Sequence, residues 1–383
     1  MSAKSTTVPT PYLPLLFFAA GILALGCAAV ALALRLLTPL AILHLVAVGS
    51  FATIAMGALY QFVPVVGMRQ LRGVPFGFIH LPLALAGTVL LVAGFTLGKF
   101  DFVTAGGVLH VAGVLLQSGI LAATLREGSP AITARGAALA LGGFVVTAAL
   151  GIAVALGAGG LNAGALVGIH ATFGLAAFFG TLIVAVTFRL LRMFERFSLE
   201  PRALWLEIAV AAAAILAALL PRVGMPLLAV AALAFAFNLG VVAKNRNPAY
   251  QRETLLYALA SGLFGCSAVF TALAGAMETA AVFALWLFVG TAVVGYIQRI
   301  IPFIWWMRRS RLEGTRNIPM LGEMNQTQLG HAILAFWLAG GLWYAFAPPA
   351  LAPLAGWFAF VAWIGLIVQI ARPFLLPGKT RAT

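Results

Sequence analysis

The sequence predicts an all-α, polytopic membrane protein of about twelve transmembrane helices in three four-helix repeats. Three observations lead there. The chain has 383 residues, of which 63% are hydrophobic and 8% charged, with a mean hydropathy of +1.08; soluble domains carry about 25% charged residues. Apolar stretches near the roughly 20 residues needed to cross a bilayer recur from end to end. One segment recurs with them. His44–Arg72 reads HLVAVGSFATIAMGALYQFVPVVGMRQLR, and HATFGLAAFFGTLIVAVTFRLLRMFER begins at His170 with Ile183 in the place of Gly57. In WLFVGTAVVGYIQRIIPFIWWMRR, Gly295 and Pro302 keep the spacing of Gly57 and Pro64, without a histidine. The expected organisation is one integral membrane domain over residues 1–383, with units near 12–125, 137–243 and 254–370. Helices two, six and ten form its inner set.

Each span is bounded by polar or turn-forming residues. After a polar tail (Met1–Thr10, with Lys4), Tyr12–Leu34 is the first helix. It is too long for a signal-peptide core and lacks a small-residue cleavage pattern. Leu40–Val66, Phe76–Leu97, Phe102–Leu125 and Ala137–Gly157 follow, and the run GAGGLNAG turns the chain into the sixth, Ala163–Leu191. A charged loop, Arg192–Arg202, leads to Ala203–Leu220. Pro221, Arg222 and Pro226 are expected to make a tight turn before Leu227–Ala243. Thr254–Ala274, Thr279–Met307, Leu329–Phe346 and Leu351–Ile370 complete the set, with the longest loop at Arg308–Gln328.

The net charge of +14 is a matter of topology. Even-numbered helices exit into Arg69, Arg72, Arg126, Arg135, Arg192, Lys244 and the Arg308–Arg316 cluster, whereas odd-numbered exits hold only Arg35, Lys99 and Arg222. Positive loops stay inside, so both termini are expected in the cytoplasm, and nucleic acid is not an expected partner. Cys27 and Cys266 lie within apolar segments and form no Cys-x-x-Cys motif, which excludes a disulfide framework or zinc finger.

Ionisable groups inside a membrane are functional candidates. The topology puts His44, His110 and His170 in the outer part of the membrane, where imidazoles at related depth can ligate iron, copper or zinc. His80 and His331 fall toward the inner face, where a histidine bonded to a carbonyl or meeting headgroups is the plainer reading. Gly57 lies about 220° around its helix from His44, at about 100° per residue, and so faces a neighbouring helix.

With histidines near the outer ends of helices two and six, the chain resembles the heme-copper oxidase catalytic subunit (subunit I). It is most similar to the short subunit-I-like proteins of bacteria. HLVAVGSFATIAMGALYQFVP resembles their helix two, HATFGLAAFFGTLIVAVTFRLLRMF helix six and VGTAVVGYIQRIIPFIWW helix ten. The resemblance implies the bacterial cytoplasmic (inner) membrane, a b-type haem or copper, and a redox or assembly partner protein. The departures are specific. Helix ten has no histidine for either family haem. His170 is followed by Ala171, Thr172 and Phe173 instead of the Pro-Glu-Val-Tyr of the copper site, and helix seven has no His-His pair.

A proton pump needs titratable groups across its core, whereas every Asp and Glu here, Glu207 and Glu253 included, is expected in a loop or near a helix end. A proton-pumping terminal oxidase is therefore excluded, and two readings stand. One is a haem- or metal-binding protein using His44, His110 and His170 for electron transfer, sensing or cofactor handling. The other is a metal-free permease or assembly factor on the same scaffold.

Overall fold

The computed structural model describes residues 12–67, 69–126, 132–157, 163–194, 200–245, 252–314 and 318–376. The Met1–Thr10 tail, most of the glycine-rich run, much of the Arg192–Arg202 loop, and Arg246, Arg316, Lys379 and Arg381 lie outside them. Twelve helices account for nearly all of the rest, and no strand occurs among the described residues. They are α1 (Tyr12–Ala33), α2 (Pro39–Gly67), α3 (Val74–Leu97), α4 (Phe100–Leu125), α5 (Ile132–Ala155) and α6 (Ala163–Phe194). Then come α7 (Glu200–Leu219), α8 (Pro221–Asn245), α9 (Glu253–Leu273), α10 (Met277–Glu313), α11 (Thr327–Phe346) and α12 (Pro353–Leu375). Eleven are long and apolar enough to cross a membrane, and the apolar part of α7, Trp205–Leu219, is shorter. The chain is thus a multi-pass membrane protein whose outer helix faces meet lipid.

The expected tight turn at Pro221–Pro226 is instead the start of α8. Pro221 needs no hydrogen bond to its nitrogen at the first helical position, so the reversal narrows to Leu220. Close contact permits it: Gly224 packs so tightly on the Leu216–Ala217 backbone that no Cβ fits.

The long helices α2, α6 and α10 share one construction. Each contains an eight-residue π-helical segment, at Leu45–Ala52, Phe173–Gly180 and Phe283–Gly290, and in each the α-helix resumes at a buried threonine: Thr53, Thr181 or Thr291. The extra residue per π turn re-aims the side chains that follow, a device frequent at functional sites. At Thr53 the hydroxyl joins the widened ladder, donating to Val48 O at 3.0 Å. The π segments of α2 and α6 both touch that of α10. Of the apolar stretches of α2, α6 and α10, 56, 72 and 61% is buried, against 28–50% in the other candidate spans, so these three are the inner helices. Counted from the π segments, Gly57 corresponds to Ala185 and Gly295. The Ile183 correspondence, taken from histidine spacing, is two residues out of step.

The chain closes on itself where α1 packs along α12: Gly356 lies against the Ala29 and Ala33 backbone, and Trp363 Nε1 donates to Ile22 O at 2.7 Å. Between α10, α11 and α12 the space is filled by aromatic rings. Trp286 and Trp337 donate to each other's backbone carbonyls, both at 3.2 Å, and Trp286 fits against Gly340.

Candidate functional site

His44 ends the first α-helical turns of α2, immediately before its π segment, and its Nδ1 lies 2.9 Å from Leu40 O. His170 sits in the first part of α6, with Nδ1 2.9 Å from Thr147 O on α5. A carbonyl only accepts, so Nδ1 carries the proton in both rings and Nε2 keeps its lone pair. The two rings are near-parallel, with 23° between planes and 6.4 Å between centroids. One metal ion ligated by both Nε2 atoms would hold the ring centres roughly 6 Å apart, from two bonds of about 2.0–2.1 Å and about 1 Å within each ring.

Sequence register explains why the two meet. His44 stands one residue before its π segment and His170 three before. At about 100° per residue, that offset turns His170 about 200° from the position on α6 that corresponds to His44 on α2. Inner helices that flank one space from opposite sides need such a turn for both side chains to enter it.

Both rings line a cavity of about 330 Å³, enclosed by α2 to α6 with Ala281 and Leu285 of α10. Cavities for small molecules and cofactors run about 300–1,000 Å³. The walls are apolar and aromatic. Phe95 lies 4.4 Å from the His44 ring, Phe144 meets Phe178 edge-on, and Phe178 lies tilted against Phe179. Exposed Leu40, Leu43 and Phe100 form an outer rim. Gly151 faces His170, where a Cβ would lie 3.0 Å from Cε1.

His110 lines the same cavity and is 6% exposed, so α4 turns its histidine inward. Its Nε2 is 3.4 Å from Thr88 Oγ1, and that hydroxyl already donates to Ala84 O at 2.9 Å. The imidazole is therefore the donor, and this ring is tied into the wall. Among the described residues, no three His, Cys, Asp or Glu side chains gather as a metal-ligating group. His44, His110 and His170 thus share a cavity, with the His44 and His170 rings near-parallel within it.

His80 and His331 do not line this cavity. His80 is buried, its Nδ1 3.0 Å from Tyr60 Oη and its ring 4.9 Å from Phe17, with Gly113 packed on it. His331 is exposed on α11.

Two features were not evident in the sequence. Glu207 and Glu253, expected near helix ends, are both buried. Glu253 pairs with Arg299 and accepts from the Thr327 hydroxyl; beside it, Gln298 donates to Tyr257 Oη at 2.9 Å and Tyr257 to Gly330 O at 2.7 Å. The second feature is a larger cavity of about 990 Å³ between α6, α7, α8, α9 and α10, lined almost wholly by apolar side chains, with exposed Arg222 and Met277 among its lining residues. Val167, Ala171, Leu175 and Ala281 line both cavities, so one layer of side chains separates them.

No protein-family model matches this chain, and no curated protein is significantly similar to it.

Proposed function

We propose that the chain is a haem-binding membrane protein on a heme-copper oxidase subunit I-like scaffold, in which His44 and His170 would hold the haem. The observation that carries this reading is the near-parallel pair itself, each ring fixed by Nδ1 to a backbone carbonyl, with no partner for either Nε2 among the described residues. Such outer bonds set tautomer and ring orientation in metal-ligating histidines. Two protein nitrogens suit an iron whose other ligands come from a macrocycle, whereas copper alone would call for a further ligand from the protein. The isolated cysteines leave covalent c-type attachment without its motif, so a haem there would be held non-covalently, as b-type haem is. Haem there would supply one-electron chemistry. The phenylalanine walls exclude water, and His110 offers a polar contact at the wall without serving as an axial ligand.

The three π-broken helices, second in successive groups of four, support the three-repeat reading of the scaffold. The basic exits of the even-numbered helices support cytoplasmic termini in a bacterial inner membrane. With no histidine on α10, electron transfer or sensing with a redox or assembly partner fits better than oxygen reduction. The test is iron and extractable haem in the purified full chain. One of each per chain supports the reading; neither, in protein from haem-replete cells, rejects it.

A metal-free permease is the second reading, and the 990 Å³ cavity favours it. A permease would bind and move a solute with no absorbing cofactor.

A further inference from the structure

Glu207 is 1% exposed, and neither carboxyl oxygen has a hydrogen-bond partner among the described residues. It lies seven residues into α7, about 10 Å from that helix's basic end at about 1.5 Å per residue. Three helices enclose it. On α5, Gly136 makes the room: a Cβ there would fall 2.6 Å from Glu207 Oε2 and 2.6 Å from Ala185 Cβ of α6. The Gly136 amide N–H approaches the carboxylate as its one nearby donor but falls outside hydrogen-bond geometry. Charged groups at this end of the neighbouring helices are Arg135 on α5, Arg189 and Arg192 on α6 and Lys244 on α8, with Arg202 on α7 itself. None pairs with Glu207. Glu253, buried to a similar degree, is matched by Arg299 and the Thr327 hydroxyl.

An ionised carboxylate without partners in a low-dielectric interior costs several kcal/mol even after relaxation, while its neutral acid forgoes only ordinary hydrogen bonds. A metal ion would need several further oxygen ligands, and the described acidic residues gather no such group. A second observation concerns access. The 990 Å³ cavity opens at Arg222 and Met277 and ends at Gly180, Val184 and Val210. Val210 is three residues from Glu207, about one helical turn.

We propose that Glu207 is an intramembrane proton-binding site one helical turn from Val210 in the wall of this cavity, holding its proton on one carboxyl oxygen in the resting protein. This does not depend on a haem at His44 and His170. It gives the α6–α10 cavity a titratable group of its own, between an outer apolar entry and the basic inner end of α7.

The test is labelling of the full chain in lipid by dicyclohexylcarbodiimide, an apolar reagent that adds to protonated carboxyls, read by peptide mass spectrometry. A water-soluble carbodiimide serves as the second arm. Glu207 should carry the apolar adduct at neutral pH, severalfold above Glu253, whose carboxylate is held by Arg299 and the Thr327 hydroxyl. The soluble reagent should leave Glu207 unmodified. E207Q should lose the adduct and unfold within a few degrees of wild type. No apolar adduct at Glu207, or equal labelling of Glu207 and Glu253, would overturn the proposal. The wild-type labelling decides the matter even if the variant does not fold.

Discussion

His44 and His170 come from helices more than 100 residues apart in sequence, yet their rings face across one cavity at 6.4 Å, each steered by a carbonyl that holds its Nδ1 proton. The carbonyls differ in origin. Leu40 belongs to the same helix as His44, while Thr147 belongs to α5, so the position of His170 depends on how α5 packs against α6.

That dependence is testable at Gly151. A side chain there meets the His170 ring. Gly151→Leu should displace the imidazole and lower cofactor occupancy while leaving the helical circular dichroism unchanged. Gly142→Ala, on the same helix with nothing within 4 Å of its added Cβ, is the control and should bind as wild type. Equal occupancy in both variants would detach His170 from cofactor binding.

His80 is a packing residue on this structure. His80→Ala should leave the absorption spectrum unchanged and lower stability by about 1–3 kcal/mol, since it strips Tyr60 Oη of a buried partner. Tyr60→Phe should behave similarly, and the double variant should cost less than the sum of the two. The exposed His331, changed to Ala, should affect neither property. A spectral shift in His80→Ala would bring that residue into the cofactor site.

The Glu253–Arg299 pair joins α9 to α10, and the Thr327 hydroxyl brings in α11. Removing one member of a buried pair costs about 3–5 kcal/mol. Glu253→Ala should therefore show a large drop in thermal unfolding temperature, whereas replacing exposed Glu278 should have little effect. Similar midpoints for the two variants would contradict a structural role for the pair.

Topology has its own check. A reporter fused after Arg316 should be active only in the cytoplasm, because the Arg308–Arg316 cluster resists export. Periplasmic activity would invert the sidedness of both cavities.

Helix number and order were legible because lipid demands long apolar stretches, and loop charge marked their ends. What composition cannot express was hidden. The π segments LVAVGSFA, FGLAAFFG and FALWLFVG share little beyond apolar character and the threonine that follows, so the register between α2 and α6 was misjudged by two residues. The depths of the outer histidines could be estimated along each helix, but not which of them would face one another. Their roles separate only through Leu40 O, Thr147 O and the Thr88 hydroxyl. Glu207 looked peripheral because it is close to a helix end; its burial comes from Gly136 on another helix. Glu253 looked peripheral for the same reason, and its partner Arg299 is 46 residues away.

The most direct test is the absorption spectrum of the purified protein, beside those of His44→Ala and His170→Ala. The wild type should show a Soret band with the sharp reduced bands of six-coordinate low-spin haem. Each variant should lose the haem or convert to a five-coordinate spectrum if, as proposed, both rings hold the same iron. A haem spectrum unchanged in both variants, or no haem in any of the three, would contradict the paired-histidine site.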